Sequence, residues 1–273
     1  MAKEIRETVK NETKSGGSSL TPILIIGAIF AITILGIYWI SQSGGDEGEV
    51  ANSNQTTSNS QASDGRISNY GNAPAGAQPA NFKGSTNSPV VIEEFADFQC
   101  PTCAVVHPKM NEVISRYSGR AKFVYRHFPI SNIHQNAYGA SVAAEAAGMQ
   151  GKFWEMQNQL FQNQNQWARL QNPKDQFQQY AQKIGLDIEK FNNDLAAMNT
   201  RLRVDADLQR ARALQISSTP TVLINGKPVP FQQVEVDTLS KLIDEELKKF
   251  DQANSSSQPK PAESKPASNA NAN

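Results

Sequence analysis

The sequence is poor in cysteine: its 273 residues include only two, Cys100 and Cys103, three positions apart. A secreted protein that is held together by disulfides usually carries more cysteines, spread along the chain. That class of protein is therefore excluded. In a chain with so little cysteine, two residues at this spacing are expected to work as a pair.

The sequence also lacks an excess of charge of either sign, because 26 lysines and arginines balance 26 aspartates and glutamates. A nucleic-acid-binding protein usually shows a basic excess or a basic patch interleaved with aromatic residues. Neither feature is present, so nucleic acid is not an expected partner.

One long stretch lacks charge altogether, at residues 23–40. As a helix, its 18 residues would span roughly 27 Å, close to the thickness of the bilayer hydrocarbon. Basic residues precede it and acidic residues follow it, which places residues 1–22 in the cytoplasm and the rest outside. A cleaved signal peptide and a buried core helix are the alternatives. No Ala-x-Ala cleavage site follows the run directly, so a single-pass anchor in the cell membrane is favoured.

Two segments have the composition of unfolded chain. Residues 41–80 are rich in Gly, Ser, Asn, Gln and Ala, and residues 251–273 are rich in Ser, Pro, Asn and Lys. Such segments bury too little apolar surface to offset the entropy lost on ordering. We expect a flexible linker, then a folded extracytoplasmic domain at 81–250, periplasmic or on the outer cell face, and a disordered tail.

The pattern within 81–250 alternates strands with helices. Apolar runs predict strands, a helix begins at Pro101, and the region 135–213 is almost wholly helical in pattern; the strands lie at 90–95, 121–125, 219–224 and 227–231, with a last helix at 234–250. The order β-α-β, helices, β-β-α predicts an α/β protein with a thioredoxin-like fold and a helical insertion.

Cys100-Pro101-Thr102-Cys103 lies where the first strand gives way to this helix. Free N–H groups and the positive dipole end of a helix lower the pKa of a thiol there. Cys100 is thus expected to be the exposed nucleophile and Cys103 the shielded resolving thiol, with Pro101 and Thr102 setting the field at Cys100. The alternative is half of a zinc site, for which only His107 lies nearby and too few ligands are available.

Two further elements point to the same chemistry. In a fold of this kind Pro220 would face the cysteines as a cis peptide, and Thr219 would offer a backbone edge to an extended substrate. An ordinary strand boundary is the alternative. Glu94 lies in an apolar strand, where burial would raise its pKa and let it exchange a proton with Cys103. Glu93 and Glu94 could instead mark an exposed strand face, since alternation should turn only one of them inward.

Four stretches of the chain resemble the DsbA-like family of thiol–disulfide oxidoreductases: 89–103 (PVVIEEFADFQCPTC), 124–129 (VYRHFP), 143–160 (AAEAAGMQGKFWEMQNQL) and 218–226 (STPTVLING). The resemblance implies that Cys100 is the nucleophile, that Cys103 resolves, that Thr219-Pro220 is the cis-proline pair and that Glu94 is the buried acid. It implies a redox-active disulfide with no further cofactor and no metal. Thr102 departs from the His that well-known oxidases of the family carry before the second cysteine, so the oxidising strength stays open.

The function expected is an oxidase that donates its disulfide to exported proteins with free cysteines. A quinone-linked membrane partner would reoxidise it, and the lipid bilayer would hold it through residues 23–40. A reductase or isomerase of the same fold is a second interpretation. A tethered binding module without enzymatic activity is a third.

Overall fold

The computed structural model describes residues 65–257. Their centre is a sheet of five strands in the order β1-β3-β2-β4-β5. The central pair, β2 and β3, runs parallel, and every other neighbouring pair runs antiparallel. The strands are β1 Asn81–Gly84, β2 Val91–Ala96, β3 Lys122–His127, β4 Thr221–Ile224 and β5 Lys227–Val229.

Eight α-helices surround this sheet in the described part of the chain. They are α1 Pro101–Arg116, α2 Ala137–Gly148, α3 Phe153–Gln162, α4 Gln164–Trp167, α5 Lys174–Lys183, α6 Ile188–Ala196, α7 Met198–Ala213 and α8 Val236–Ser257, with a 3₁₀ turn at Phe231–Gln233. After the additional strand β1, the predicted order of β-α-β, a helical block and β-β-α is confirmed.

Apolar clusters cover both faces of the sheet. On one face, Ile92 packs with residues of α1 and α8, while Ala96 and Tyr125 pack with the helices of the insertion. On the other face, Phe95 and Leu223 pack against α7. A strand that is covered on both faces is buried at consecutive residues instead of alternate ones. β2 is buried in this way at every residue after Val91.

The predicted flexible linker is wrong at its C-terminal end, since residues 67–80 pack against the folded domain. Ile67, Tyr70 and Ala73 join the cluster around Phe95. The N–H of Ala77, which is itself buried, donates to Asp207 Oδ1 at 2.8 Å. A few apolar residues and buried backbone bonds thus order a segment whose average composition is that of a linker. The chain then enters β1, a strand that the sequence pattern did not predict.

The C-terminal boundary also differs from the expectation. Helix α8 continues to Ser257, seven residues past the predicted end of the domain at 250. The predicted anchor at 23–40, the cytoplasmic segment before it and the rest of the tail lie outside the described residues. Of the helices at 65–257, none is both long enough and apolar enough to cross a bilayer.

Candidate active site

The two cysteines lie at the start of α1, directly after the turn that follows β2. Cys100 is the N-cap residue, with an extended backbone (φ −70°, ψ 120°), and Pro101 opens the first turn. Both thiols are free in this structure. Cys100 is only 6% exposed and Cys103 is fully buried. The order of exposure is as predicted, but Cys100 is not the openly exposed nucleophile that was expected. It belongs to the apolar cluster of the insertion, and its sulfur contacts the Thr219 carbonyl oxygen.

The surroundings of Cys100 favour its thiolate. Hydrogen bonds from Cys103, which has the largest effect, and from the Thr102 hydroxyl lower the pKa of Cys100 to about 4, against the opposing effect of burial. Thr102 Oγ1 lies 3.4 Å from Cys100 Sγ. Pro101 and Thr102 are both exposed, so they border the sulfur on its solvent side. Hydrogen bonds to the charged form of an acid lower its pKa, which is the effect seen here.

Cys103 has the opposite character. Burial raises its pKa well above the usual range, and the hydrogen bond and charge of Cys100 raise it further, with a smaller contribution from Glu94. The pair therefore consists of one thiol that ionises readily and one that holds its proton. Such a division suits disulfide exchange, where one sulfur meets the substrate and the second leaves or resolves inside the protein.

Glu94 lies on β2, and its side chain is 6% exposed. Burial raises its pKa to about 7. Its carboxyl forms no hydrogen bond or ion pair with any described residue, which distinguishes it from its neighbour. Glu93 is 2% exposed but is paired with Arg126 at 2.9 Å and Arg210 at 2.7 Å. The expectation that only one of the two glutamates turns inward is wrong, because the sheet is covered on both faces.

The Thr219–Pro220 peptide bond is cis, as expected. The Cys100 thiol lies 3.6 Å from the Thr219 carbonyl oxygen, to which it donates. The first ladder pair of β4 joins Phe95 to Thr221, so Thr219 and Pro220 come before the sheet rather than inside the predicted strand. Their backbone is left beside the sulfur, where an extended peptide can pair with it.

The helical insertion supports the turn through contacts that the sequence did not indicate. Gln164 Nε2 donates to the carbonyl oxygens of Phe98 (2.7 Å) and Cys100 (3.0 Å). In the turn itself, Asp97 accepts hydrogen bonds from the N–H groups of Gln99 and Ile130. One glutamine in a glutamine-rich stretch carries no signal of such a role.

His107 has a structural environment. Its Nε2 lies 2.8 Å from Asn158 Oδ1, and the ring stacks on Phe161 with centroids 4.7 Å apart. Within residues 65–257, no group of three or more His, Cys, Asp or Glu side chains is placed to hold a metal ion. The surroundings of His107 thus give no support to the zinc alternative.

Comparison with known proteins agrees with this geometry. A family model described as thioredoxin matches residues 77–245, more than half of the chain. The chain belongs to the thioredoxin family. Oxidised BdbD from Bacillus subtilis superimposes with a TM-score of 0.56 at 22% identity, covering 64% of this chain and 98% of that one. Wolbachia pipientis alpha-DsbA1 gives 0.55 at 17% identity, covering 65% and 95%. These structures confirm the predicted DsbA-like resemblance at the level of the fold.

Curated relatives come from a different kind of protein. The chain is 34% identical over 156 residues to Na(+)/H(+) antiporter NhaA 1 of Mycolicibacterium gilvum, covering 56% of this chain and 24% of that protein. It is 35% identical over 148 residues to NhaA 1 of Mycolicibacterium vanbaalenii, covering 54% and 23%. The chain therefore matches about a quarter of the length of these relatives.

Proposed function

We propose that this protein is a thiol–disulfide oxidoreductase that acts on protein thiols through Cys100 and Cys103. The observation that carries the proposal is the opposed character of the two thiols, with the pKa of Cys100 lowered to about 4 and that of Cys103 raised. A metal site or a purely structural pair would not need this difference. The adjoining Thr219-Pro220 backbone supplies a place for an extended substrate.

The reaction follows from this arrangement. A substrate thiolate attacks Cys100 Sγ in the oxidised protein, the Cys100–Cys103 bond breaks, and Cys103 leaves as a thiolate that takes up a proton. A second substrate thiolate then attacks the substrate sulfur of the mixed disulfide. The substrate disulfide forms, and Cys100 leaves as a thiolate. Two electrons pass from the substrate to the protein.

The direction that we propose is oxidation. A thiolate that is stabilised in the reduced protein favours the reduced state, and so makes the disulfide a stronger oxidant. On this proposal the protein is held by residues 23–40 on the outer side of the cell membrane, donates disulfides to exported proteins, and is reoxidised by a quinone-linked membrane partner. A reductase or isomerase of the same fold is the alternative within the enzyme class.

Trapping tests the proposal. In Cys103→Ala, the Cys100 thiolate attacks a disulfide of a substrate protein and displaces one of its sulfurs as a thiolate. The resulting mixed disulfide has no internal thiol to resolve it, so adducts with substrate proteins should accumulate and be identifiable by mass spectrometry. The matched control is Cys100→Ser/Cys103→Ala, which should carry none. Adducts with many exported proteins support a general oxidase. A Cys100→Ser strain with fully normal function would instead favour the binding module without enzymatic activity.

A second candidate function follows from the curated relatives. Because the matching region in those relatives belongs to proteins named as Na(+)/H(+) antiporters, the same exchange chemistry could serve one membrane transporter rather than many exported proteins. The trapping experiment separates the two. A single dominant adduct with a membrane transport protein would favour the dedicated role, and a broad set of exported adducts would favour the general one.

A further inference from the structure

Three buried polar side-chain atoms in the described part of the chain have no hydrogen-bond partner: Tyr125 Oη, His127 Nδ1 and Thr219 Oγ1. All three belong to the surroundings of the redox pair. Thr219 adjoins Cys100, Tyr125 shares an apolar cluster with both cysteines, and the His127 ring lies 5.3 Å from the Tyr125 ring. A buried polar group without a partner is unfavourable and calls for an explanation. Their position suggests that the reaction supplies one.

Tyr125 is the most informative of the three because its ring is held in place. The side chain is 2% exposed, and it stacks on Phe98 with centroids 5.3 Å apart and contacts Phe153 at 5.6 Å. The hydroxyl therefore cannot turn to water. Any partner has to come from the interior of the protein.

The neighbour that fits is Glu94. Glu94 and Tyr125 are directly paired in the parallel register of β2 and β3, so their side chains leave the same face of adjacent strands. In the dithiol structure the Glu94 carboxyl, like the Tyr125 hydroxyl, has no hydrogen-bond partner among the described residues. The charge of Glu94 also acts on the Tyr125 hydroxyl more strongly than the charges of Cys103, Asp97 and Asp207 do, which agrees with the adjacent positions of the two residues.

We propose that Tyr125 is a positioning residue whose hydroxyl donates a hydrogen bond to the Glu94 carboxylate whenever the redox reaction leaves that carboxylate ionised. The inference rests on the proposed function, since it concerns the proton that Cys103 exchanges. It assigns to Tyr125 a role through Glu94 and no direct contact with the substrate.

The proton balance shows when the bond is needed. When a substrate thiolate breaks the Cys100–Cys103 bond, the Cys103 thiolate takes the proton of Glu94, and a carboxylate remains on a residue that is 6% exposed. In the reverse step Glu94 accepts the Cys103 proton, Cys103 attacks Cys100 Sγ, and the substrate leaves as a thiolate. The Tyr125 proton stays on its oxygen throughout, and the hydroxyl stabilises the anion by donating to it.

Other charged groups around the Tyr125 hydroxyl do not replace this partner. Those that act on it from the packed elements are Glu94 on β2, Asp97 in the following turn, Cys103 on α1 and Asp207 on α7. Asp97 and Asp207 already accept hydrogen bonds from backbone N–H groups and from His134 and Arg126. On β3, the strand that carries Tyr125, the His127 side chain is hydrogen-bonded to Glu145. Glu94 is the member of the set that lacks a partner.

The test uses Tyr125→Phe, which removes one oxygen and keeps the ring packing. The reduced protein is mixed with an aromatic disulfide (Ellman's reagent), and stopped-flow absorbance follows two releases of thionitrobenzoate. The first reports attack by Cys100, and the second reports attack by Cys103 on the mixed disulfide. The second phase should rise with pH as Glu94 ionises. In Tyr125→Phe its midpoint should move upward by about one pH unit, and its rate at neutral pH should fall about fivefold.

Two comparisons make the result specific. Tyr117→Phe is the matched control, because Tyr117 is buried in the other cluster and its hydroxyl donates to Ser240 O at 3.0 Å. Tyr117→Phe should lose stability and keep the pH profile, whereas Tyr125→Phe should lose no stability at a pH where Glu94 is protonated, and should shift the profile. On a Glu94→Gln background, Tyr125→Phe should change nothing further.

The role of Tyr125 is overturned if Tyr125→Phe leaves the pH midpoint of the second release unchanged. It is also overturned if Tyr125→Phe changes the second release on the Glu94→Gln background as much as it does in the unaltered protein. Absence of the second release from the unaltered protein would contradict the proposed function instead. The two failures are therefore distinguishable.

Discussion

Thr102 offers the most direct test of how the surroundings of Cys100 set its redox chemistry. Thr102→Val keeps the shape of the side chain and removes the hydroxyl that lies 3.4 Å from Cys100 Sγ. A hydrogen bond to a charged group contributes about 1.5–3 kcal/mol. Since Thr102 is exposed, screening by solvent reduces this contribution to about 1 kcal/mol.

This energy translates into two measurable shifts. Loss of about 1 kcal/mol of thiolate stabilisation raises the pKa of Cys100 by about 0.7. At neutral pH the same loss destabilises the reduced protein, so the reduction potential becomes more negative by about 20 mV. The variant is therefore expected to be a slightly weaker oxidant with a slightly less acidic nucleophile.

The pKa is measured by thiolate absorbance during a pH titration, and the potential by equilibration with glutathione buffers. Thr86→Val is the control, because Thr86 is exposed in the turn after β1 and does not contact the cysteines. The reasoning is refuted if Thr102→Val leaves both quantities unchanged, or if the pKa rises and the potential does not become more negative.

Two other substitutions test burial and support at the site. Folding raises the pKa of Glu94 from 4.5 to about 7, so ionised Glu94 opposes folding. The resulting loss of stability is absent at a pH below the pKa of the unfolded state and complete at a pH above the pKa of the folded state. Glu94→Gln should therefore raise the free energy of unfolding of the reduced protein by about 3 kcal/mol above neutral pH and leave it unchanged in acid. Urea denaturation at both pH values checks this, and a gain that does not depend on pH contradicts it. Gln164→Leu removes the donor to Phe98 O and Cys100 O and should lower the free energy of unfolding by about 2 kcal/mol. An unaltered urea midpoint would show that those carbonyls find other partners.

Local patterns were sufficient to predict the central part of the fold. The apolar run ending at Phe95 and Pro101 at the start of a helix are signals carried by a few adjacent residues. They place the cysteine pair at the strand–helix junction. A further apolar run places the Thr219-Pro220 pair at the start of the predicted strand 219–224, two residues ahead of where β4 begins in the structure. The residues that touch the sulfurs were therefore identified from sequence.

Features that depend on distant partners were not predictable in the same way. β1 is four residues long and is defined by its antiparallel pairing with β3, not by a hydrophobic pattern. The ordered conformation of residues 67–80 depends on hydrogen-bond acceptors and donors that lie more than a hundred positions away in the sequence, among them Asp207 and Arg210. Gln164 has its role because α4 is brought beside the active-site turn, and composition gives no information about that approach.

The contrast between Glu93 and Glu94 shows why burial alone does not identify a functional carboxyl. Both are buried on the same strand, one on each face, and alternation predicts only that they point apart. Arg126 and Arg210 pair with Glu93 and hold its pKa below the usual range in spite of burial. Glu94 faces the cluster that contains Cys103 and Tyr125, where no cation pairs with it in the described structure. A carboxyl that is structurally compensated stays ionised. One that is left without a partner titrates near neutral pH, and can therefore give and take the proton of the buried thiol.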